Sequence, residues 1–249
     1  MGKQQQARDG RESIAFLLEP AASALSGASA ALAAGDFAFV TAAANDGSYK
    51  DVPLRRPILA VGAMTGKTGD SIVKCTPYFL GFATGKSMSA SKTTQNVTMD
   101  YDNKQNNIVS DDIAVSGSIQ GYAITESLSD TYSAINIIKS RFNDIIENTA
   151  GAITKKEAKP MDKDILAIFW NWRDCNVGDM VEIDVVASLF SNLSMDAAYQ
   201  SGQSFNVDFT GNSGDENDYL SAKLQITVTE ALKTAIDALM TRSASVSRT

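Results

Sequence analysis

Apolar residues recur at every second position in several separate stretches, and this alternation constrains the fold more than any other feature of the chain. Phe205, Val207 and Phe209 are separated by Asn206 and Asp208. Ile113, Val115, Gly117 and Ile119 keep one phase, and Leu220, Leu224, Ile226 and Val228 keep another. A period of two sets such residues on one side of a pleated strand, with polar residues on the other. Met180, Ile183 and Val185, alternating with Glu182 and Asp184, extend the pattern towards Phe190. Residues 36–41 and the aromatic run Ile165 to Trp172 read as further strands, and Pro57 to Val61 as a short buried one. Pro53 and Pro57 bracket Leu54-Arg55-Arg56, which predicts an edge strand or extended loop, because proline donates nothing to a sheet ladder. Past Ile119 the apolar phase passes to Tyr122 and Ile124. That one-residue slip predicts a β-bulge near Gly121.

The stretch 85–112 is polar and poor in large apolar groups, and is expected to form a long loop. Within it Val97, Met99 and Tyr101 alternate as one face of a strand, with a turn at 102–107. Asn45-Asp46-Gly47 and Asn176-Val177-Gly178-Asp179 carry turn chemistry. Helical spacing is clearest in Tyr132, Ile135, Ile138, Phe142, Ile145 and Ile146, which recur at three and four. Ser129 or Asp130 supplies an N-cap there and Asn148-Thr149-Ala150-Gly151 a stop. Ala231, Leu232, Ala235, Ile236 and Leu239 predict a second amphipathic helix. The Ala/Ser-rich segment 21–34 leans to helix on alanine content, against its serines and Gly27. Lys155 to Lys163, with Pro160, reads as a charged linker.

These signals predict an α+β, mainly β chain, an antiparallel β-sandwich or small barrel with flanking amphipathic helices and long loops or arms. The expected division is an N-terminal arm and Ala-rich segment (1–35), a β-rich assembly domain (36–240) and a flexible tail (241–249). The assembly domain offers a loose echo of strands followed by a helix in 36–150 and 160–240.

Composition removes several classes of chemistry. Histidine is absent, which excludes Ser-His-Asp and Cys-His relays and any histidine-ligated metal centre. Two cysteines, Cys75 and Cys175, cannot supply a four-thiolate zinc site, and read as free buried thiols. The formal net charge is −7, so most of the surface repels nucleic acid and anionic membrane. No apolar run reaches the length needed to span a bilayer. Ile14 to Leu18 is cut by Glu19 and Pro20, so no signal-peptide core follows the polar start. The expectation is synthesis in a cytoplasm, with no membrane insertion.

Gly62-Ala63-Met64-Thr65-Gly66-Lys67-Thr68 is the most suggestive motif for chemistry. It approaches a phosphate-binding P-loop, but places three residues, not four, between its first glycine and the Gly-Lys pair. Gly69-Asp70-Ser71 is a poor opening for the helix that should receive phosphate charge. The loop therefore reads as a flexible turn, with a nucleotide-binding enzyme using Lys67 kept as an alternative. Asp215, Glu216 and Asp218 lack the spacing of a calcium loop and read as a solvated acidic loop. Asp100 and Asp102 flank Tyr101 beside the expected turn. Trp170, Trp172 and Tyr199 could form a ligand surface, but aromatics more often anchor a core or a subunit contact. The glycosylation patterns at Asn96 and Asn192 carry no meaning without secretion. No catalytic, cofactor-binding or metal residue is assigned, and the chain is read as a non-enzyme.

The run Ile-Ala-Val-Ser-Gly-Ser-Ile-Gln-Gly-Tyr-Ala-Ile-Thr from Ile113 to Thr125, the helix from Tyr132 to Ile146 and the later strands through Tyr219 to Thr229 together resemble, at the level of architecture over residues 36–240, the tail tube proteins of phages and related injection systems. The resemblance implies a β-sandwich or small barrel flanked by a helix, with a long loop reaching the next ring. It implies a homo-oligomer of hexameric rings stacked into a tube, an acidic lumen through which DNA passes without specific binding, and contact with other virion structural proteins. A capsid decoration protein, or another structural protein of the virion, is the alternative. Localisation in the virion follows from either.

Overall fold

A computed structural model describes residues 13–21, 23, 25–26, 31–41, 54–65, 71–80, 82–98, 105–122, 134–149, 152–156, 164–196, 204–211 and 221–244. The strands among them are β1 (Ile14–Pro20), β2 (Leu25–Ser26), β3 (Ala31–Leu32), β4 (Phe37–Thr41), β5 (Leu54–Leu59), β6 (Met64–Thr65), β7 (Ser71–Phe79), β8 (Phe82–Thr98) and β9 (Gln105–Tyr122), followed by β10 (Ile145–Thr149), β11 (Ala152–Lys156), β12 (Asp164–Phe169), β13 (Met180–Asp196), β14 (Ser204–Gly211) and β15 (Ser221–Thr227). Two α-helices accompany them, α1 (Ala134–Phe142) and α2 (Glu230–Ala244).

The main sheet is antiparallel, in the order β5-β4-β7-β1-β12-β13-β14-β9-β8, with β15 on β13 and β2 on β7. It curls into a half-barrel, so the mainly β, antiparallel expectation holds. β13 is the branch point. Its first part, Met180 to Val186, carries β15, and its second, Ser188 to Asp196, carries β14. One side of the branch, β5-β4-β7-β1-β12-β13-β15, forms the barrel part, whose outer strands β5 and β15 approach each other. The other side, β13-β14-β9-β8, forms a wing.

The paired runs Ile14–Leu18 and Ile165–Phe169 explain how both parts are held. They lie at the sheet's centre, in register from Ile14 opposite Phe169 to Leu18 opposite Ile165. Alternate residues enter different cores. Ile14, Phe16, Leu18, Ile165, Ala167 and Phe169 point into the barrel, with Phe37, Leu59, Val181, Ile183 and Val185. Ala15, Leu17, Leu166 and Ile168 share the second core with Val115, Ile119, Phe205, Val207 and Phe209 of the wing. The wing therefore folds over the outside of β1 and β12. Strands buried on both faces need a continuous apolar run, not an alternating one.

Each core has its helix. Leu232 and Ile236 of α2 are fully buried in the barrel core, one turn apart. Thr229 caps α2, its Oγ1 accepting the Leu232 N–H at 3.1 Å, the usual use of an N-cap hydroxyl. The same hydroxyl donates to the Val61 carbonyl and so ties α2 to the end of β5. Ile137 and Ile138 of α1 enter the second core. Arg141 then forks onto Asp164 at the start of β12, with contacts of 3.0–3.3 Å.

Several expectations are corrected. The segment 21–34 contributes β2 and β3 and no helix among its described residues; Leu32 is buried and pairs with Met64. The first helix ends at Phe142, and Ile145 and Ile146 belong to β10. Asn148 and Thr149 pair with Ile153 and Ala152, so this stop signal closes a hairpin and not a helix. Lys155 and Lys156 lie in β11, not in a linker. The stretch 85–112 is not a loop: its described residues belong to β8 and β9, which pair from Phe82–Tyr122 to Thr98–Gln105. The slip near Gly121 is real but lies across the ladder, where Ala83 faces Gly121 and Gly85 faces Gln120, so the extra residue is Thr84 of β8. β5 ends the strand order, as its prolines predict. The turn expected at 102–107 is narrowed, because Gln105, Asn106 and Asn107 of β9 pair with Thr98, Val97 and Asn96 of β8; residues 102–104, the turn at 45–47, the capping pair Ser129 and Asp130, the arm 1–12 and residues 245–249 fall outside the described residues.

Candidate functional site

The outer face of the wing is an extended polar surface among the described residues. Strict alternation builds it. On β14, Phe205, Val207 and Phe209 point into the core while Asn206, Asp208 and Thr210 face outward. On β9, Val115 and Ile119 point inward and Ser116, Ser118 and Gln120 outward. Ser87 and Ser89 of β8 lie beside them, flanking Met88, which packs on the core. On β13, a bulge at Ser191 shifts the register, after which Leu193 and Met195 turn inward and Asn192, Ser194 and Asp196 outward.

Register aligns these side chains into rungs across four strands. Ser87 faces Ser118, Ser118 faces Asp208, and Asp208 faces Asn192. The Ser87 and Ser118 hydroxyls are 2.9 Å apart, and those of Ser89 and Ser116 3.1 Å. Asp208 accepts the Asn192 amide on one oxygen and the Asn206 amide on the other, each at 3.0 Å. Ser191 Oγ donates to the Asp208 carbonyl. The Asn206 Oδ1 is buried and finds no partner among the described residues. A shallow groove of about 320 Å³ crosses this face, bounded by Ser87, Ser89, Ser116, Ser191, Asp208 and Thr210.

Gly117 lets the sheet pack closely beneath the groove. It takes an inward position in the apolar phase of β9, and the Phe209 ring of the neighbouring strand lies over it. A Cβ there would stand 2.5 Å from that ring and 2.3 Å from the Ser87 carbonyl. The aromatic side chain covers the backbone that a glycine leaves bare.

Chemically the face offers hydroxyls, amides and two carboxylates, Asp196 and Asp208. Among its described side chains there is no lysine or arginine. The hydroxyls of Ser87, Ser89, Ser116, Ser118 and Ser191 bond to other hydroxyls or to carbonyls, and both oxygens of Asp208 are occupied by amides. Neither arrangement supplies the adjacent base that activates a serine. The face is suited to many weak polar contacts.

The other candidates fall elsewhere. Met64 and Thr65 form β6, and β7 begins at Ser71, so a strand follows the near-P-loop where phosphate binding needs a helix N-terminus. Lys67 lies outside the described residues, as do Asp100, Asp102, Tyr199, Asp215, Glu216 and Asp218. Trp172 is fully buried and donates to Asp237 of α2 at 3.2 Å, so it anchors the barrel core. Trp170 is half-buried against the second core and donates its indole N–H to the buried Asp184. Both cysteines are free and buried. Burial pushes the Cys75 thiol up to about 12 and raises that of Cys175, whose Sγ donates to the Trp172 carbonyl. No helix among the described residues is long and apolar enough to cross a membrane.

A scan against protein-family models and a search of curated proteins both find no match to the chain. The fold and the surface define it as a mainly β, half-barrel protein with one polar sheet wing.

Proposed function

We propose that this chain is a structural subunit of a virion, a tail tube protein that assembles with copies of itself as stacked rings and forms a conduit for DNA, with the wing's outer face turned to the passage. One observation carries the reading: a four-stranded sheet face whose described side chains, Leu189 beside Thr210 apart, are hydroxyls, amides and carboxylates, with no cation among them. DNA binding at ordinary salt is dominated by lysine and arginine contacts to phosphate. A face without them among its described side chains, in a chain of net charge −7, lets a polyanion slide past without holding it. The core beneath the face keeps it rigid, as a wall requires.

Negative-stain electron microscopy across a concentration series tests this. Rings or tubes with an open lumen are the expected result. A monodisperse monomer at the highest concentration would overturn the self-assembling conduit. Binding of that monomer to a preformed viral shell would point to a decoration protein instead.

A further inference from the structure

We draw no further inference here: the strongest candidate, the exposed apolar patch of Ile146 and Ile153 on one face of the β10–β11 hairpin, carries nothing because nothing in the structure shows what covers it.

Discussion

The barrel part and the wing are built from the same antiparallel sheet but spend their faces differently. The half-barrel curls around its inner face. Phe16, Phe37, Phe169 and Trp172 meet there edge-on or tilted, with ring centroids 5.3–6.2 Å apart, and α2 covers what the sheet leaves open. The wing buries only one face and leaves the other to hydroxyls and amides. Burial on both sides of β1 and β12 lets the barrel act as the anchor, and the wing's buried face is borrowed from the barrel's exterior. Stability is thus concentrated where the two parts share strands, and chemical freedom is concentrated on the wing's outer face.

The sharpest way to break this asymmetry is at the shared centre. Phe169→Ala removes a fully buried ring that touches Phe16, Phe37 and Trp172, and is expected to cost about 3–5 kcal/mol, read from urea unfolding. The joint between α1 and β12 comes next. Asp164 is 5% exposed and Arg141 11%. Burial pushes the Asp164 carboxyl up, against the opposing pull of Arg141. Arg141→Met strands a buried carboxylate and is expected to cost about 3 kcal/mol at pH 7. Because the folded pKa lies above the unfolded value of 3.8, folding takes up a proton between the two. The associated stability is present below 3.8 and is lost as pH rises through the folded pKa. Arg141→Met should therefore be markedly more stable at pH 4 than at pH 7, and Asp164→Asn in the same protein should remove that slope. Absence of the slope would mean that water reaches the carboxylate.

Two glycines compare the parts at a smaller scale. Gly35 turns the chain between β3 and β4 at φ +86, and a Cβ there would lie 2.6 Å from the Ala235 Cβ of α2. Gly117 holds the Phe209 ring in the wing. Gly35→Ala and Gly117→Ala are each expected to cost roughly 1–3 kcal/mol through overpacking, Gly35 the more because its backbone is also disfavoured for alanine. Loss of α2 helicity in the first and not in the second would confirm that the parts fail separately. The thiols report the same separation chemically. Cys75, pushed up to about 12, should resist alkylation at pH 8 until denaturant opens the barrel. Rapid reaction in the native protein would show that the barrel opens on its own.

Most of the strands were legible because alternation is a local property. Phe205, Val207 and Phe209 announce β14, and Leu232, Ala235, Ile236 and Leu239 announce α2. The errors fall where tertiary partners decide. Ile145 and Ile146 continue the spacing of α1, and only their pairing with Lys156 and Lys155 makes them a strand. Alanines at 31–34 favour helix until Leu32 finds Met64 across a bridge. The polar face of the wing was missed for a different reason. Its serines at 87 and 89 look like loop composition and those at 116 and 118 like the polar side of one strand, and they become a surface only when register sets them side by side. The signal that was available was Gly117, an apolar-phase position holding glycine, which asks for a large neighbour to cover it.

The smallest expected effect isolates what the wing's outer face is for. Ser118 shares a hydroxyl contact with Ser87 on the surface of the sheet, and surface substitutions of this kind usually change stability by no more than about 0.5 kcal/mol. Ser118→Ala and Ser118→Lys should both unfold within that margin of the parent protein. Their behaviour towards DNA should differ. Each added lysine contributes phosphate contacts and a matching salt dependence, so Ser118→Lys combined with Asp208→Lys should retard duplex DNA on a native gel at low salt and release it as salt rises, while Ser118→Ala should leave DNA unretarded. If the parent protein already retains DNA as strongly as the lysine variant, the outer face is not a non-adhesive wall, and its hydroxyls have to be explained by contacts with another protein.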